Sequence, residues 1–389
     1  MIHLLFYLSL ALIAYCYFGY PLLCWVLALW RREWLPPKVD DLPTVSLIIA
    51  AYNEEQVIGA KLDNARQLDY PGDRLQIIVA SDASTDRTDE IVAARGDQGI
   101  VLNILPLRGG KTAALNAAVP KATGEILVFS DANGMYRPDA LKRLVPWFQN
   151  KKVGGVSGEL NYENPGGRSR VEGEVYYWSY ERFLKRLESR LGSILGANGS
   201  IYAIRRELFV PLDPGLIDDL VLPLTICKRG FQVKYEPRAI SVEESSRSFE
   251  EEFARKKRII SQGLRAVAAH ADLLNPFRHR FLSFQLISHK LLRWMVSLLL
   301  IVLFVSNLFL LDQPLFALAA GVQIGFYGLA AIGGLFRKHL GDVRLFHIPF
   351  YFCMTYGAAL YGLGLFLLGR TPVAWETARQ DDSDGGGRV

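Results

Sequence analysis

Cysteine is scarce, with four in 389 residues at positions 16, 24, 227 and 353, and no pair has a metal-binding spacing. Neither a disulfide scaffold nor a cysteine-built metal site is therefore expected. Charge of one sign is not in excess: 44 Lys and Arg face 39 Asp and Glu. A net charge of +5 is too modest to argue for nucleic acid as a partner. No phosphate-binding P-loop is present, because Gly110-Lys111-Thr112 would need a glycine where Leu105 stands. No Gly-x-Gly-x-x-Gly opens the first helix after the first strand, which argues against a dinucleotide cofactor. At its two ends the chain also has long runs that lack charge entirely.

Ile2–Trp30 contains no Asp, Glu, Lys or Arg. About 20 apolar residues at 1.5 Å each cross a bilayer, so this run is long enough to span. It lacks the basic start and small-residue cleavage site of a signal peptide and reads as a retained anchor. Three more such runs follow at Trp294–Leu311, Gln313–Phe336 and Leu345–Gly369, the first two joined by a tight turn at Asp312. Arg31 and Arg32 follow the first run, Arg293 precedes the second, and Arg337, Lys338 and Arg344 lie between the third and fourth. The positive-inside rule then puts residues 31–293 and the 337–344 loop in the cytoplasm, with a multi-pass chain in the cell (inner) membrane. Counting crossings puts both termini outside. Phe277–Leu292 mixes apolar and basic residues and suits an amphipathic helix in the interface, the alternative being an extension of the second span. The spans themselves hold only His3 and His347 as titrating groups, which counts against a transporter or channel.

Between the apolar ends the composition is that of an ordinary folded domain. After a 31–43 linker containing Pro36 and Pro37, apolar β-rich runs alternate with helix-patterned ones. Strands are expected at Thr44–Ala51, Leu75–Ala80, Ile100–Leu105 and Glu125–Ser130, and helices at Glu54–Leu68, Thr88–Ala94, Thr112–Val119 and Pro138–Gln149. This alternation predicts an α/β domain over 44–270 with a mostly parallel, Rossmann-like sheet. An interface helix at 271–293, three spans over 294–370 and a polar tail at 371–389 would complete the chain.

Ligands in such sheets bind beyond the carboxyl ends of the strands. Those ends read Ala51-Tyr52-Asn53-Glu54, then Ser81-Asp82-Ala83-Ser84-Thr85-Asp86, then Arg108-Gly109-Gly110-Lys111, then Ser130-Asp131-Ala132-Asn133. Any one of these clusters could merely cap a helix or make a turn. Four in succession on one rim supply carboxylates, a lysine and glycine-rich backbone, a site for a phosphate ester with a divalent cation, Mg2+ or Mn2+.

These motifs resemble the membrane-bound family-2 glycosyltransferases of the GT-A fold, which include hyaluronan, cellulose and poly-N-acetylglucosamine synthases. The resemblance continues through Gly196-Ala197-Asn198-Gly199, Ile217-Asp218-Asp219-Leu220 and Arg255-Lys256-Lys257-Arg258-Ile259, covering about residues 44–265. It implies that Tyr52, Glu54 and Asp82 line the nucleotide base and ribose, with Lys111 also facing the nucleotide. Asp131 and Asn133 stand where the family holds its metal and diphosphate. Asp219, with Asp218 beside it, matches the acceptor-side acidic pair that supplies the general base. Gly196, Asn198, Arg255 and Arg258 fall in motifs around the diphosphate and acceptor. The implied activity is inverting transfer of sugar from a uridine diphosphate donor to a saccharide or lipid-linked acceptor. A tethered nucleotide-binding regulator and a polyprenyl-phosphate sugar transferase are the alternatives.

Three departures from the family pattern stand out. Asn133 replaces an acid and should bind a cation more weakly. Asp218 replaces Glu. The processive members' Gln-x-x-Arg-Trp reads Arg255-x-x-Arg258-Ile259 here, or, seven residues on, Gln262-x-x-Arg265-Ala266; in either register the tryptophan is absent. The aromatic residues Tyr176, Tyr177, Trp178 and Tyr180 read as packing at helical spacing. Trp375, Thr377 and Arg379 resemble a C-terminal signature that relatives keep on the cytoplasmic side, in conflict with the crossing count.

Overall fold

The computed structural model describes residues 1–32, 34–163, 171–244, 248–340 and 343–372. Trp375, Thr377, Arg379 and the polar tail lie outside the described residues, as do the side chains of Tyr176, Tyr177 and Trp178. The chain divides into two compact units, one of residues 33–163 and 192–245, the other of 1–32, 164–191 and 246–371.

The first unit is built on eight strands: β1 Val45–Ala51, β2 Leu75–Ser81, β3 Ile100–Ile104, β4 Ile126–Asp131, β5 Met135–Tyr136, β6 Val153–Glu163, β7 Tyr202–Arg205 and β8 Gln232–Glu244. They form one sheet in the order β3-β2-β1-β4-β7-β6-β8-β5. The expected strands are present, within a residue or so at each end. β1, β2, β3 and β4 pair in parallel, whereas β7 runs antiparallel between β4 and β6. All seven residues of β1 are buried, which explains why Ser46 is its one polar residue. The register of the parallel strands sets the rim. Ala51 lies opposite Ser81 and Ala50 opposite Asp131, so β1, β2 and β4 deliver Tyr52, Asp82 and Asp131 to one edge.

Helix Ile58–Arg66 packs Ile58, Leu62 and Ala65 into the core at 0% exposure. Each of the two larger aliphatic side chains contributes about 1.5–3 kcal/mol by leaving water. Helix Lys111–Ala118 begins at Gly110, whose φ of 88° only glycine adopts without strain.

Among the described residues of the second unit, four helices are long and apolar enough to cross a membrane: Ile2–Leu29, Phe281–Leu308, Pro314–Leu335 and Arg344–Leu367. The stretch 277–292, expected as a separate interface helix, divides at Arg280 (φ 46°): Pro276–His279 is a short helix, and from Phe281 the chain runs on into the second span. That continuation carries His289, Lys290 and Arg293, and buried carboxylates meet them. Arg293 donates to Glu181 at 2.7 Å, and His289 sits between Glu188 at 2.9 Å and Glu181 at 3.3 Å. Tyr20 donates to the same Glu188 at 2.5 Å, tying the first span to helix Val171–Leu191. Burial disfavours the charge on Glu181, but His289, Lys290 and Arg293 outweigh it and hold its carboxyl well below the ordinary range.

Candidate active site

At the carboxyl edge of β4, Asp131 ends its strand with its side chain 36% exposed, and Lys111 Nζ donates to its Oδ1 at 2.6 Å. The same ammonium donates to the Gly199 carbonyl at 3.2 Å and lies 3.9 Å from Asp218. Burial works against the charge on Lys111, yet Asp131, Asp218 and Asp219 outweigh it and raise its pKa above the ordinary lysine value. Lys111 is aimed by what precedes it. Asp82, 1% exposed, accepts from the backbone N–H of Gly109 at 2.7 Å and of Gly110 at 2.9 Å, fixing the turn that starts the helix. Asp82 thus stands at the rim with its carboxylate engaged by the glycine-rich loop.

Helix Asp218–Lys228 begins at the acidic pair, where carboxylates suit the positive end of the helix. The helix start and the site therefore coincide. Asp218 is 4% exposed and accepts the Tyr202 hydroxyl at 2.5 Å, while Tyr202 stacks on Phe129 with centroids 4.8 Å apart. Asp219 is half-buried, and its backbone carbonyl accepts from Ala197 N at 2.7 Å. The 196–199 loop therefore packs directly on the acidic pair. Asn198 is pinned from behind, its N–H donating to Ser157 Oγ at 2.9 Å and its side-chain amide to the Gly158 carbonyl.

Tyr52 and Glu54, at 8% exposure each, follow β1. Arg108 lies over the Tyr52 ring at 4.0 Å, and Glu54 N donates to Thr88 Oγ1 at 2.7 Å. Between them Asn53, at a φ of 51°, accepts from Thr85 N at 2.7 Å and locks the first rim loop to the second.

The resemblance singles out Gly196, and the more crowded glycine of the same loop is Gly199. A Cβ at 196 would meet only ordinary contacts at 3.6 Å and beyond, whereas one at 199 would lie 2.9 Å from Asp219 Oδ2 and 3.2 Å from Lys111 Nζ. Gly199→Ala should therefore lower turnover about tenfold or more by displacing both groups, with Gly196→Ala close to wild type. Equal activity of the two variants would contradict this placement.

Arg255 and Arg258 lie in the other unit, on helix Phe249–Ala269. There Arg255 pairs with Glu252 at 2.6 Å. Gly263 of that helix is required by Trp294, whose ring would lie 2.7 Å from a Cβ there. Tyr180, expected to pack, donates to the Cys16 carbonyl at 3.3 Å.

Among the described residues, no three His, Cys, Asp or Glu side chains gather as a ready metal-ligand set. A cation that shares its coordination with substrate phosphates asks for only one or two protein oxygens. Asp131 and half-buried Asn133 offer one carboxylate and one amide oxygen at the same turn, which fits that minimal demand. Lys61, which belongs to none of the rim motifs, is buried just behind the turn and donates to the Gly134 carbonyl. Its signal in the sequence is a lysine at an apolar-face position of an amphipathic helix.

Comparison with known proteins adds to this geometry. Residues 46–211 match the family described as Glycosyl transferase family 2. A β-monoglucosyldiacylglycerol synthase from Nostoc is 32% identical over 171 residues, 43% of this chain and 36% of that one. The poly-β-1,6-N-acetyl-D-glucosamine synthase of Staphylococcus aureus is 26% identical over 212 residues, 52% of this chain and 50% of that one. The chain thus spans half the length, or less, of these two relatives. A mannosyltransferase from Pyrobaculum calidifontis, solved with GDP-mannose and Mn2+, shares the fold: TM-score 0.72 at 24% identity, covering 94% of this chain and 99% of that one.

Proposed function

We propose that this chain, a family 2 glycosyltransferase by residues 46–211, moves a sugar from a nucleotide diphosphate donor, UDP-linked, to a saccharide or lipid-linked acceptor at the membrane. The observation that carries the reading is Lys111, held between Asp131 at the end of β4 and the Asp218-Asp219 pair at the start of its helix. One side of this arrangement suits a diphosphate and the other an incoming hydroxyl.

The acceptor hydroxyl is a poor nucleophile. Asp219 removes its proton as the acceptor oxygen bonds to the anomeric carbon, and the bond from that carbon to the donor phosphate breaks. The nucleoside diphosphate leaves with the bonding pair. One displacement inverts the centre, so an α-linked donor gives a β-linked product. Lys111 places fixed positive charge beside the departing phosphates. Asp131 and Asn133 would hold a divalent cation, which neutralises charge on the leaving group when bound. Asp82 and the Gly109-Gly110 backbone keep Lys111 in place, and Tyr52, Glu54 and Asp82 would line the base and ribose.

A lipid acceptor accords with the four candidate spans and with the name of the Nostoc relative, which also specifies a β linkage. The missing tryptophan after Arg258 favours short products over long polymer. The basic flanks support a cytoplasmic catalytic unit. The test is purified protein in detergent with a panel of radiolabelled nucleotide sugars, Mn2+ or Mg2+, and extracted membrane lipid or oligosaccharide acceptors. The expected result is a β-linked product that is lost on chelation. An α-linked product would overturn the direct displacement, and donor binding without transfer to any acceptor would favour the tethered regulator.

A further inference from the structure

On helix Ile58–Arg66, Lys61 shares the buried face with Ile58, Leu62 and Ala65 and is itself 0% exposed. A leucine or methionine would fill that space without the penalty of burying an ammonium. Burial pushes Lys61 down to about 7, opposed by the carboxylates of Asp131 and Glu243. The compensation is local. Its ammonium donates to the Gly134 carbonyl and sits 4.0 Å from the centroid of the Tyr136 ring. One turn along, Asn64 brackets Tyr136, its amide donating to the Tyr136 carbonyl at 2.8 Å and accepting from the Tyr136 N–H at 2.8 Å. One helix therefore commits two polar side chains to three consecutive residues, Gly134 to Tyr136, that directly follow Asp131-Ala132-Asn133.

The opposite side of the turn is closed as well. Ser200 and Ser241 share a hydrogen bond of 2.8 Å, and a Cβ on Gly134 would collide with both hydroxyls. The Tyr136 hydroxyl lies 3.0 Å from the carbonyls of both Phe129 and Ser200, which share its one proton. The backbone after Asn133 is thus gripped from both sides and has little freedom to shift.

We infer that Lys61 and Asn64 are positioning residues that hold the Gly134–Tyr136 turn, and through it Asp131 and Asn133, in the arrangement that receives a diphosphate with its divalent cation. This rests on the role proposed for Asp131 and Asn133 as cation ligands. Neither Lys61 nor Asn64 touches the reacting atoms; both act through the backbone.

The test uses the full chain in detergent and reads binding rather than turnover. UDP and GDP, and uridine and guanosine, are titrated with and without Mn2+ by calorimetry, beside thermal unfolding of each protein. Wild type is expected to bind one diphosphate more tightly with Mn2+ than without it. Lys61→Met should reduce that Mn2+-dependent gain about tenfold while leaving nucleoside affinity unchanged. Asn64→Ala, at a half-buried position, should reduce it less but in the same sense. Should Lys61→Met fail to fold, Asn64→Ala decides. An unaltered gain in the folded variants would overturn the inference and leave the functional reading standing. So would nucleoside affinity falling in step with the gain, the mark of a merely structural role. A wild type that shows no Mn2+-dependent gain would overturn the diphosphate reading itself, and this inference with it.

Discussion

Asp219→Asn should lower kcat by about 10²–10⁴-fold, the usual contribution of a positioned general base, with donor affinity unchanged. The substitution is nearly isosteric, and the backbone carbonyl of residue 219, which accepts from Ala197, stays in place whatever the side chain. The loss should therefore fall on proton removal and spare the fold. Asp218 is the informative contrast. It is buried, accepts the Tyr202 hydroxyl and faces Lys111, so Asp218→Asn should lower the unfolding temperature as well as turnover. Steady-state kinetics, with donor binding measured separately, distinguish the two. Retention of transfer by Asp219→Asn, or a fall in donor affinity that matches the fall in kcat, would remove Asp219 from the role of base.

The first four strands and their rim loops could be read from sequence because β1, β2 and β4 lie in the interior of the sheet, where burial on both faces leaves mostly apolar runs with few polar residues. The remaining half could not. β7 has only four residues, and β8 carries Pro237 with five charged residues among its thirteen. Their pairing is set by neighbours far along the chain, which no local pattern reports. Lys111 is legible as part of a rim loop after the third strand, whereas the acidic pair enters only through the family resemblance. Which glycine is crowded is not legible there, since it depends on where Asp219 and Lys111 meet the 199 backbone. The 277–292 segment shows the same limit: His289 and Lys290 suggest an interface until Glu181 and Glu188 are seen to meet them. Lys61 was hidden because a lysine on an apolar face reads as an interruption of the pattern, when here its amine is the donor that the Gly134 carbonyl accepts from.

Lys111→Met should be the most damaging single change in the first unit, in stability as well as turnover. The wild-type ammonium is a counter-charge to three carboxylates and a donor to the Gly199 carbonyl. Without it, buried Asp218 and partly exposed Asp131 lose their shared cation, and the 199 backbone loses its tie. Removing one partner of a fully buried pair costs about 3–5 kcal/mol, and the loss here should be smaller because solvent reaches Asp131, 36% exposed. The pH dependence comes from the sign of the shift. Since the folded-state pKa of Lys111 lies above its unfolded value, its stabilisation is fully present below the unfolded pKa. It is lost only as pH rises through the folded value. The stability difference between wild type and Lys111→Met should then be the same at about pH 7 and pH 9, both below the ordinary lysine range. Lys111→Arg should recover part of the stability but less of the turnover, because a planar fork cannot place one point charge between Asp131 and Asp218 as the ammonium does. Denaturant unfolding at the two pH values, with donor KM for both variants, gives the answer. A Lys111→Met protein as stable as wild type, with donor KM unchanged, would mean that this ammonium neither offsets the acidic cluster nor meets the phosphates.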